Sequence, residues 1–332
     1  MKRAGQLLEQ IIDRDNLRLA VSRALRGKRH RPDARAYCQH LESNLQRLAQ
    51  DLVAGTVAVG CTHQFVIRDP KKRVITAPSF DERVMHHAVM NVCEPVFDRW
   101  LIHDTYACRV GKGREAAVGR ARQFAGRQPA HLKLDLRKYF DGIPHDELLS
   151  RLERLFKDRR LLTLFERIVT AFRPGAGCGL PIGSLMSQHF ANFYLGGFDR
   201  FATERLRVRG YVRYMDDIVM WAESCGELTA TAHDCRQFLA DELQLLAKPP
   251  IINHSRAGLG FLGCRVFPSH VELGRRAKTR FRRKLTLLQQ SFDAGNIGEA
   301  ELQQRVTSLV AFCRAAGTCS WHVRRAAIEG CR

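Results

Sequence analysis

Two adjacent carboxylates, Asp216 and Asp217, interrupt the otherwise apolar and aromatic run "YVRYMDDIVMW" at residues 211–221. Charges about 4 Å apart repel by about 4 kcal/mol at an effective dielectric of about 20. A chain that keeps two such groups together needs a cation beside them, and a divalent metal serves best. Oxygen-only ligands favour magnesium, which retains water and substrate phosphates in its shell. Neighbouring side chains on a flat strand point to opposite faces. A tight turn between two strands breaks that alternation and lets both acids project from the end of a sheet. A third acid stands in "LKLDL", where Asp135 is alone on a hydrophobic strand. Three acids from two adjacent strands can hold two metals about 3.5–4 Å apart, which activate an attacking hydroxyl and stabilise the leaving oxygen of an in-line phosphoryl transfer. Each acid alone reads as a solvated turn residue or an arginine partner. The combination, in a basic chain, favours metal chemistry.

The elements around these acids set how they are presented. Strands are expected over "AHLKLDLRKYF", with Leu132, Leu134 and Leu136 on one face and Lys133 and Asp135 on the other, and as a hairpin on "VRYMDDIVMWA". "HQFVIRDPKKRVITAP" reads as two strands around a Pro-Lys-Lys turn, and "GFLGCRVF" as the end of a strand pair. Residues 3–26 and 34–54 read as helices joined by the basic turn "RGKRHRP", with Gly55 ending the second. Further helices are expected over "SFDERVMHHAVMNVCEPVFDRW", with Ser79 as N-cap and Glu82 three residues on, and over "DELLSRLERLF", "LLTLFERIVTAF", "SLMSQHFANFYLGGFDRFATERL" and "ELTATAHDCRQFLADEL". From about residue 270 the chain is basic and helical. This mixed order predicts an α+β fold on an antiparallel sheet, with helical additions at both ends.

Composition points to the partner. With 54 Lys and Arg against 34 Asp and Glu in 332 residues, the net charge is +20, which argues for a polyanion. No stretch approaches 18 uninterrupted apolar residues, so no membrane partner is expected. The N-terminus reads as an amphipathic helix and not as a signal peptide. Eleven scattered cysteines without a C-x-x-C pair suggest reduced thiols in a cytoplasm, and Cys313, Cys319, His322 and Cys331 fit no common zinc spacing. "TYACRVGKG" lacks the spacing of a phosphate-cradling loop.

Six blocks in order resemble the reverse transcriptases: "SFDERVMHHAV", "TYACRVGKG", "LKLDLRKYFDGIPHDEL", "GLPIGSLMSQHFANFYLGGFD", "YMDD" between apolar flanks, and "GFLGCRV". The likeness runs from about residue 60 to 267, with a weaker echo in "NLRLAVSRALRGKRH". It implies a right-hand polymerase fold with an antiparallel palm sheet, helical fingers and a helical thumb. The implied parts are an N-terminal helical extension (1–58), fingers (59–128), a palm (129–268, with a helical insertion at about 146–175) and a thumb (269–332). It implies RNA-directed DNA synthesis with two magnesium ions, manganese being a possible substitute. Template RNA, primer and deoxynucleoside triphosphates would be its partners. By carry-over, Asp135 and Asp216 are the principal metal ligands, Asp217 the supporting acid, and Leu136 the source of a backbone carbonyl. Phe140 matches the aromatic that blocks a ribose 2′-hydroxyl. Arg73 matches a residue gripping the triphosphate, with Lys71 or Lys72 assisting. Ile182, Gly183 and Gln188 lie in the block set against template and incoming nucleotide.

Departures from the family pattern point to a branch. Most relatives carry Gln-Gly and Ser-Pro where this chain has Ile182-Gly183 and Ser187-Gln188, a pairing similar to the enzymes of diversity-generating retroelements. Those enzymes copy a template-repeat RNA with frequent errors at adenine and act with a small helical accessory protein, in bacteria and phages. Retron, group II intron-derived and phage-defence enzymes are the alternatives, and a non-catalytic RNA-binding scaffold is an alternative of another class. The general acid is unassigned between Lys248 and His254. Arg275, Arg276, Lys278, Arg280, Arg282 and Arg283 recur at helical steps and suit duplex phosphates, while Arg26, Lys28, Arg29, His30 and Arg31 suit structured RNA or an acidic partner. With the thumb expected over 269–332, no ribonuclease H domain is expected within these residues.

Overall fold

The computed structural model describes residues 2–68, 72–172 and 177–314. In chain order it begins with helices α1 (Leu8–Ile11), α2 (Arg14–Ala24), α3 (Pro32–Gln39) and α4 (Leu41–Ala54), then strands β1 (Thr62–Ile67) and β2 (Arg73–Pro78). Next come α5 (Phe80–Trp100), α6 (Arg114–Arg127), β3 (Ala130–Asp135), α7 (Tyr139–Gly142), α8 (His145–Leu155) and α9 (Arg159–Thr170). Helices α10 (Leu185–Tyr194) and α11 (Gly196–Arg200) lead to β4 (Gly210–Tyr214), β5 (Asp217–Ala222) and α12 (Cys225–Asp241). Strands β6 (Ile251–His254), β7 (Leu259–Phe261), β8 (Cys264–Val266) and β9 (Val271–Leu273) precede α13 (Arg275–Asp293) and α14 (Glu299–Arg314). Helices and antiparallel sheets alternate, the α+β arrangement expected. The Asp69–Lys71 part of the first turn, Gly175, and Cys319, His322 and Cys331 lie outside the described residues.

The chain divides into two compact units. The first comprises residues 1–102, 137–199 and 238–246. Its axis is α5, started by Ser79, whose hydroxyl accepts from the Glu82 N–H at 3.3 Å. The Glu82 carboxylate does not return the bond to Ser79; it accepts from the Gly60 N–H at 3.1 Å. Phe97 on α5 meets Phe156, Phe190 and Phe193 edge-on at 5.3–6.2 Å, tying α5 to α10 and the end of α8. The N-terminal helices are shorter than the sequence predicts. Asp13 caps α2 through the N–H groups of Asp15 and Asn16, which separates it from α1, and the second stretch divides at His40. Gly55 takes φ 73° and ends α4 as expected.

The second unit comprises residues 103–136, 200–237 and 247–332. Its four-stranded sheet has the order β4-β5-β3-β6, antiparallel throughout. Helix α6 packs on β4, β5 and β8, and Phe124 stacks on the fully buried Trp221 at 5.4 Å. Two expectations are corrected here. Strand β3 stops at Asp135, because Lys138 turns to φ 42° and Tyr139–Gly142 coil into a helical turn. Residues 271–273, expected in a helix, pair with β8 as a third strand, their alternation of buried Val271 and Leu273 with exposed Glu272 fitting a sheet.

Candidate functional site

Strands β3 and β5 pair in a register that sets Asp135 directly opposite Asp217. On the other side Asp217 faces Tyr214, leaving Met215 and Asp216 as the two-residue hairpin loop. Met215 takes φ 57°, in the left-handed region that a tight hairpin demands at its first central position. Arg213 props this turn from below. It is fully buried on β4, and its guanidinium donates to the Met215 carbonyl at 3.1 Å. The three acids thus come from one sheet end: Asp135 and Asp217 as cross-strand partners, Asp216 at the tip beside them.

Each cross-strand acid is held by a lysine. Lys133 Nζ lies 2.8 Å from Asp217 Oδ1, and Lys248 Nζ 2.5 Å from Asp135 Oδ2. The pairing of Lys248 is reinforced by its backbone N–H, which donates to the Asp135 carbonyl at 2.8 Å. Next to it Leu136, its side chain buried, bridges Ala247 in antiparallel fashion. The acids are part-exposed, 41% for Asp135 and 29% for Asp217, so solvent and solutes reach them. Among the described residues no group of three or more His, Cys, Asp or Glu is gathered closely enough to hold a metal ion. The donors are oxygen only, the kind that magnesium takes, and two of the three carboxylates are engaged here by ammonium groups that a divalent ion would have to displace. Sequence reasoning missed the role of Lys133. The signal was its position two residues before Asp135 on one strand, hence on the same face. Lys248 was read only as one of two loose matches for a general acid; its seat on Asp135 comes from the fold.

The residues read as nucleotide-facing fall in the first unit, where backbone bonds bring most of them together. The Thr76 N–H on β2 donates to the Ile182 carbonyl at 2.8 Å, tying the strand of Arg73 to the Ile182-Gly183 loop. The Leu180 N–H donates to the Phe140 carbonyl at 2.8 Å, and the Gly179 N–H to Ile143. Gly183 has φ 123°, and an added Cβ would lie 2.7 Å from Ile75 Cγ2 and 2.8 Å from the Thr76 oxygen. Ser184 then caps α10, which carries Gln188 on its exposed face. Lys72 and Arg73 are exposed at the start of β2. Phe140 is half-buried, while its neighbour Tyr139 is the buried aromatic, donating to the Ala191 carbonyl.

In the second unit, α13 turns Ala277 and Phe281 into the core and leaves Arg275, Arg276, Lys278, Arg282 and Arg283 exposed, with Arg280 half-buried. Lys278 is paired with Glu272 at 3.2 Å. Arg109 and Lys112 steady their own loop, donating to Thr105 at 2.8 Å and to the His103 carbonyl at 2.9 Å.

Residues 68–249, more than half of the chain, match the family model described as "Reverse transcriptase (RNA-dependent DNA polymerase)". The chain belongs to the reverse transcriptase family. The reverse transcriptase match includes Arg73, Asp135, Phe140, Ile182, Gly183, Gln188, Asp216 and Asp217, and ends before α13. Among curated relatives, Nuclear intron maturase 4, mitochondrial, of Arabidopsis thaliana is 31% identical over 160 residues, 46% of this chain and 20% of its own length. Protein YkfC of Escherichia coli is 23% identical over 251 residues, 61% of this chain and 65% of its own length. The chain thus spans about a fifth of the maturase and about two thirds of YkfC. A solved telomerase from Candida tropicalis, in complex with a fragment of telomeric RNA, superimposes with a TM-score of 0.50 at 9% identity over 80% of this chain and 56% of that one. That likeness is one of fold, an α+β polymerase fold. Among the described residues no helix is long and apolar enough to cross a membrane.

Proposed function

We propose that this reverse transcriptase family member is an RNA-directed DNA polymerase whose reacting centre is the sheet end bearing Asp135, Asp216 and Asp217. The observation that carries the reading is the cross-strand pairing of Asp135 with Asp217 beside the Met215-Asp216 loop. The three carboxylates, with the Leu136 carbonyl, would hold magnesium, or manganese in its place. When bound, the metal supplies the charge that activates a primer hydroxyl and stabilises the departing pyrophosphate. Lys133 and Lys248 neutralise the acids in the meantime and hold them in place. Arg73 and Lys72 would grip the triphosphate, Arg as a two-point fork, with Phe140 screening against ribose. Ile182, Gly183 and Gln188 would shape the template and nucleotide side, and the basic face of α13 would follow template–primer phosphates. In polymerase terms residues 1–58 are an extension, 59–128 fingers, 129–268 palm and 269–332 thumb. Magnesium-dependent primer extension on an RNA template tests the reading: Asp216→Ala with Asp217→Ala should abolish synthesis, and equal extension by both proteins would sink it.

Within that activity, the Ile182-Gly183 and Ser187-Gln188 pairs support a diversity-generating enzyme that makes adenine-mutagenic cDNA from a template repeat, with a helical accessory protein in a bacterial or phage-encoded setting. A Gln at position 182 could hydrogen-bond near the nucleotide, whereas Ile182 offers contact only. One lost bond of about 0.5–1.5 kcal/mol corresponds to up to roughly tenfold in error rate. The Arabidopsis maturase supports a second reading, an intron-derived enzyme. A near-duplicate sequence beside the coding region, differing at adenines, separates the two: its presence supports the first and its absence the second.

A further inference from the structure

Part-buried positive charge collects in the first unit, where the end of α2 and the turn after it meet α5. Arg83, His87 and Asn91 are spaced four residues apart on α5 and form one stripe along it. Arg23, in the last turn of α2, reaches that stripe by donating to Asn91 Oδ1 at 2.6 Å. The chain then turns sharply. Gly27 takes φ 68°, the Lys28 N–H donates to the Leu25 carbonyl at 2.9 Å, and the Arg31 N–H donates to the Lys28 carbonyl at 3.0 Å. Pro32 opens α3 directly afterwards, so the turn is short and held at both ends.

Lys28, Arg31, Arg83 and His87 are each part-buried. Burial, then the charges of Arg83 and Arg31, holds the Lys28 ammonium below its ordinary pKa. Burial, then the charge of Arg31, does the same to the Arg83 guanidinium. Among the described residues the carboxylate that offsets these two cations is Asp33, and Arg31 already engages it at 3.2 Å. The side chains of Lys28 and Arg83 make no hydrogen bond or ion pair among the described residues. A cation whose pKa falls on folding is costlier in the folded chain than in water, so the cluster opposes folding at neutral pH until an anion joins it. Lysine and arginine are rarely buried without a partner.

The donors select a compact anion with several acceptor oxygens. A guanidinium offers two parallel N–H groups that match two phosphate oxygens, and an ammonium adds a point charge. One carboxylate has only two oxygens and is used up by one such fork, whereas a phosphate serves the fork and the ammonium together. We propose that Arg83, Lys28 and Arg31 form a phosphate site that the polymerase reading does not use. The phosphate belongs either to the backbone of a bound RNA, whose next phosphates would meet the exposed Arg26 and Arg29, or to a small phosphate compound.

Binding of a short RNA oligonucleotide and of inorganic phosphate to the full chain, by calorimetry, tests this with Arg83→Gln and Lys28→Gln made singly. Each variant should bind the true ligand at least about tenfold more weakly, the loss of one charge-assisted hydrogen bond. For RNA the log–log salt slope should also flatten by about 0.7 for the phosphate released. Without ligand both variants should unfold at or above the parent midpoint, because each removes a part-buried charge that has no partner. A loss confined to RNA names the backbone as the source of the phosphate, and a loss seen with inorganic phosphate itself names a small compound. Unchanged binding of both probes in both variants overturns the proposal. Polyglutamate that binds more tightly than either probe, and through Arg83, also overturns it and makes the cluster a seat for an acidic protein. A variant that unfolds well below the parent midpoint counts against it too, since the cation would then have a structural partner. None of these readouts needs nucleotide addition, so a failure of primer extension would strike the polymerase reading and not this one.

Discussion

Ile182 is the residue at which the diversity-generating reading proposed above is easiest to test. Its carbonyl is committed to the Thr76 N–H, so exchanging the side chain leaves that tie intact. Ile182→Gln should lower misincorporation opposite adenine by up to roughly tenfold, the worth of one recovered hydrogen bond. Sequencing the products of templated extension measures it, and unchanged accuracy would remove the side chain from the account of fidelity. The acids show the opposite balance between residue and context. They stand out in the sequence because charged side chains are rare among apolar neighbours. The lysines that neutralise them come from a neighbouring strand position and from the segment after α12, and the second of these is placed only by the chain's return to β6.

At the scale of elements, the junction between β2 and the loop before α10 is the most tightly specified. Gly183 sits at φ 123° against Ile75 and Thr76, so a methyl there has no room and an unfavourable backbone. Gly183→Ala should destabilise the protein by about 1–3 kcal/mol, the usual range for overpacking. It should also loosen the strand that carries Arg73. A denaturant midpoint indistinguishable from the parent would show that the loop can shift without cost. Helix α13 is read at the same scale. Exchanging Arg275, Arg276, Arg282 and Arg283 for Gln should weaken RNA–DNA duplex binding and flatten its salt dependence, by about 0.7–0.9 in log–log slope for each phosphate that is no longer neutralised. An unchanged slope would assign the helix to solvent.

The whole molecule carries a pH dependence that no single element shows. Burial holds the His86 imidazole down to about 3 and those of His87, His131 and His189 down to about 4, against 6.5 unfolded. A histidine depressed in the folded state binds its proton first in the unfolded chain. The stability it confers is therefore complete above about pH 6.5 and is lost as pH falls toward 4. Glu82 and Glu94, raised by burial, contribute with the opposite sign. The histidines outnumber them, so urea midpoints should fall steadily from pH 7 to pH 4.5, reporting a loss of stability on the order of a few kcal/mol. A flat or rising profile over that range would mean that the imidazoles are not held neutral.

Much of this protein was decided by its sequence alone. The alternation in "AHLKLD" made β3 with Asp135 on the polar face, the "YMDD" turn made the hairpin, and Ser79 and Gly55 set two helix ends, because each depends on neighbours a few residues away. Local chemistry also explains the expectations that failed: a strand drawn through Tyr139 and a helix drawn from 270 both missed a change of period within three or four residues. The tertiary structure decided what depends on distant segments meeting: the register that sets Asp135 against Asp217, the lysine on each of those two acids, and the Thr76–Ile182 tie. Pairing of strands and burial of polar atoms are set by the packing of the whole chain, and no window of sequence contains them.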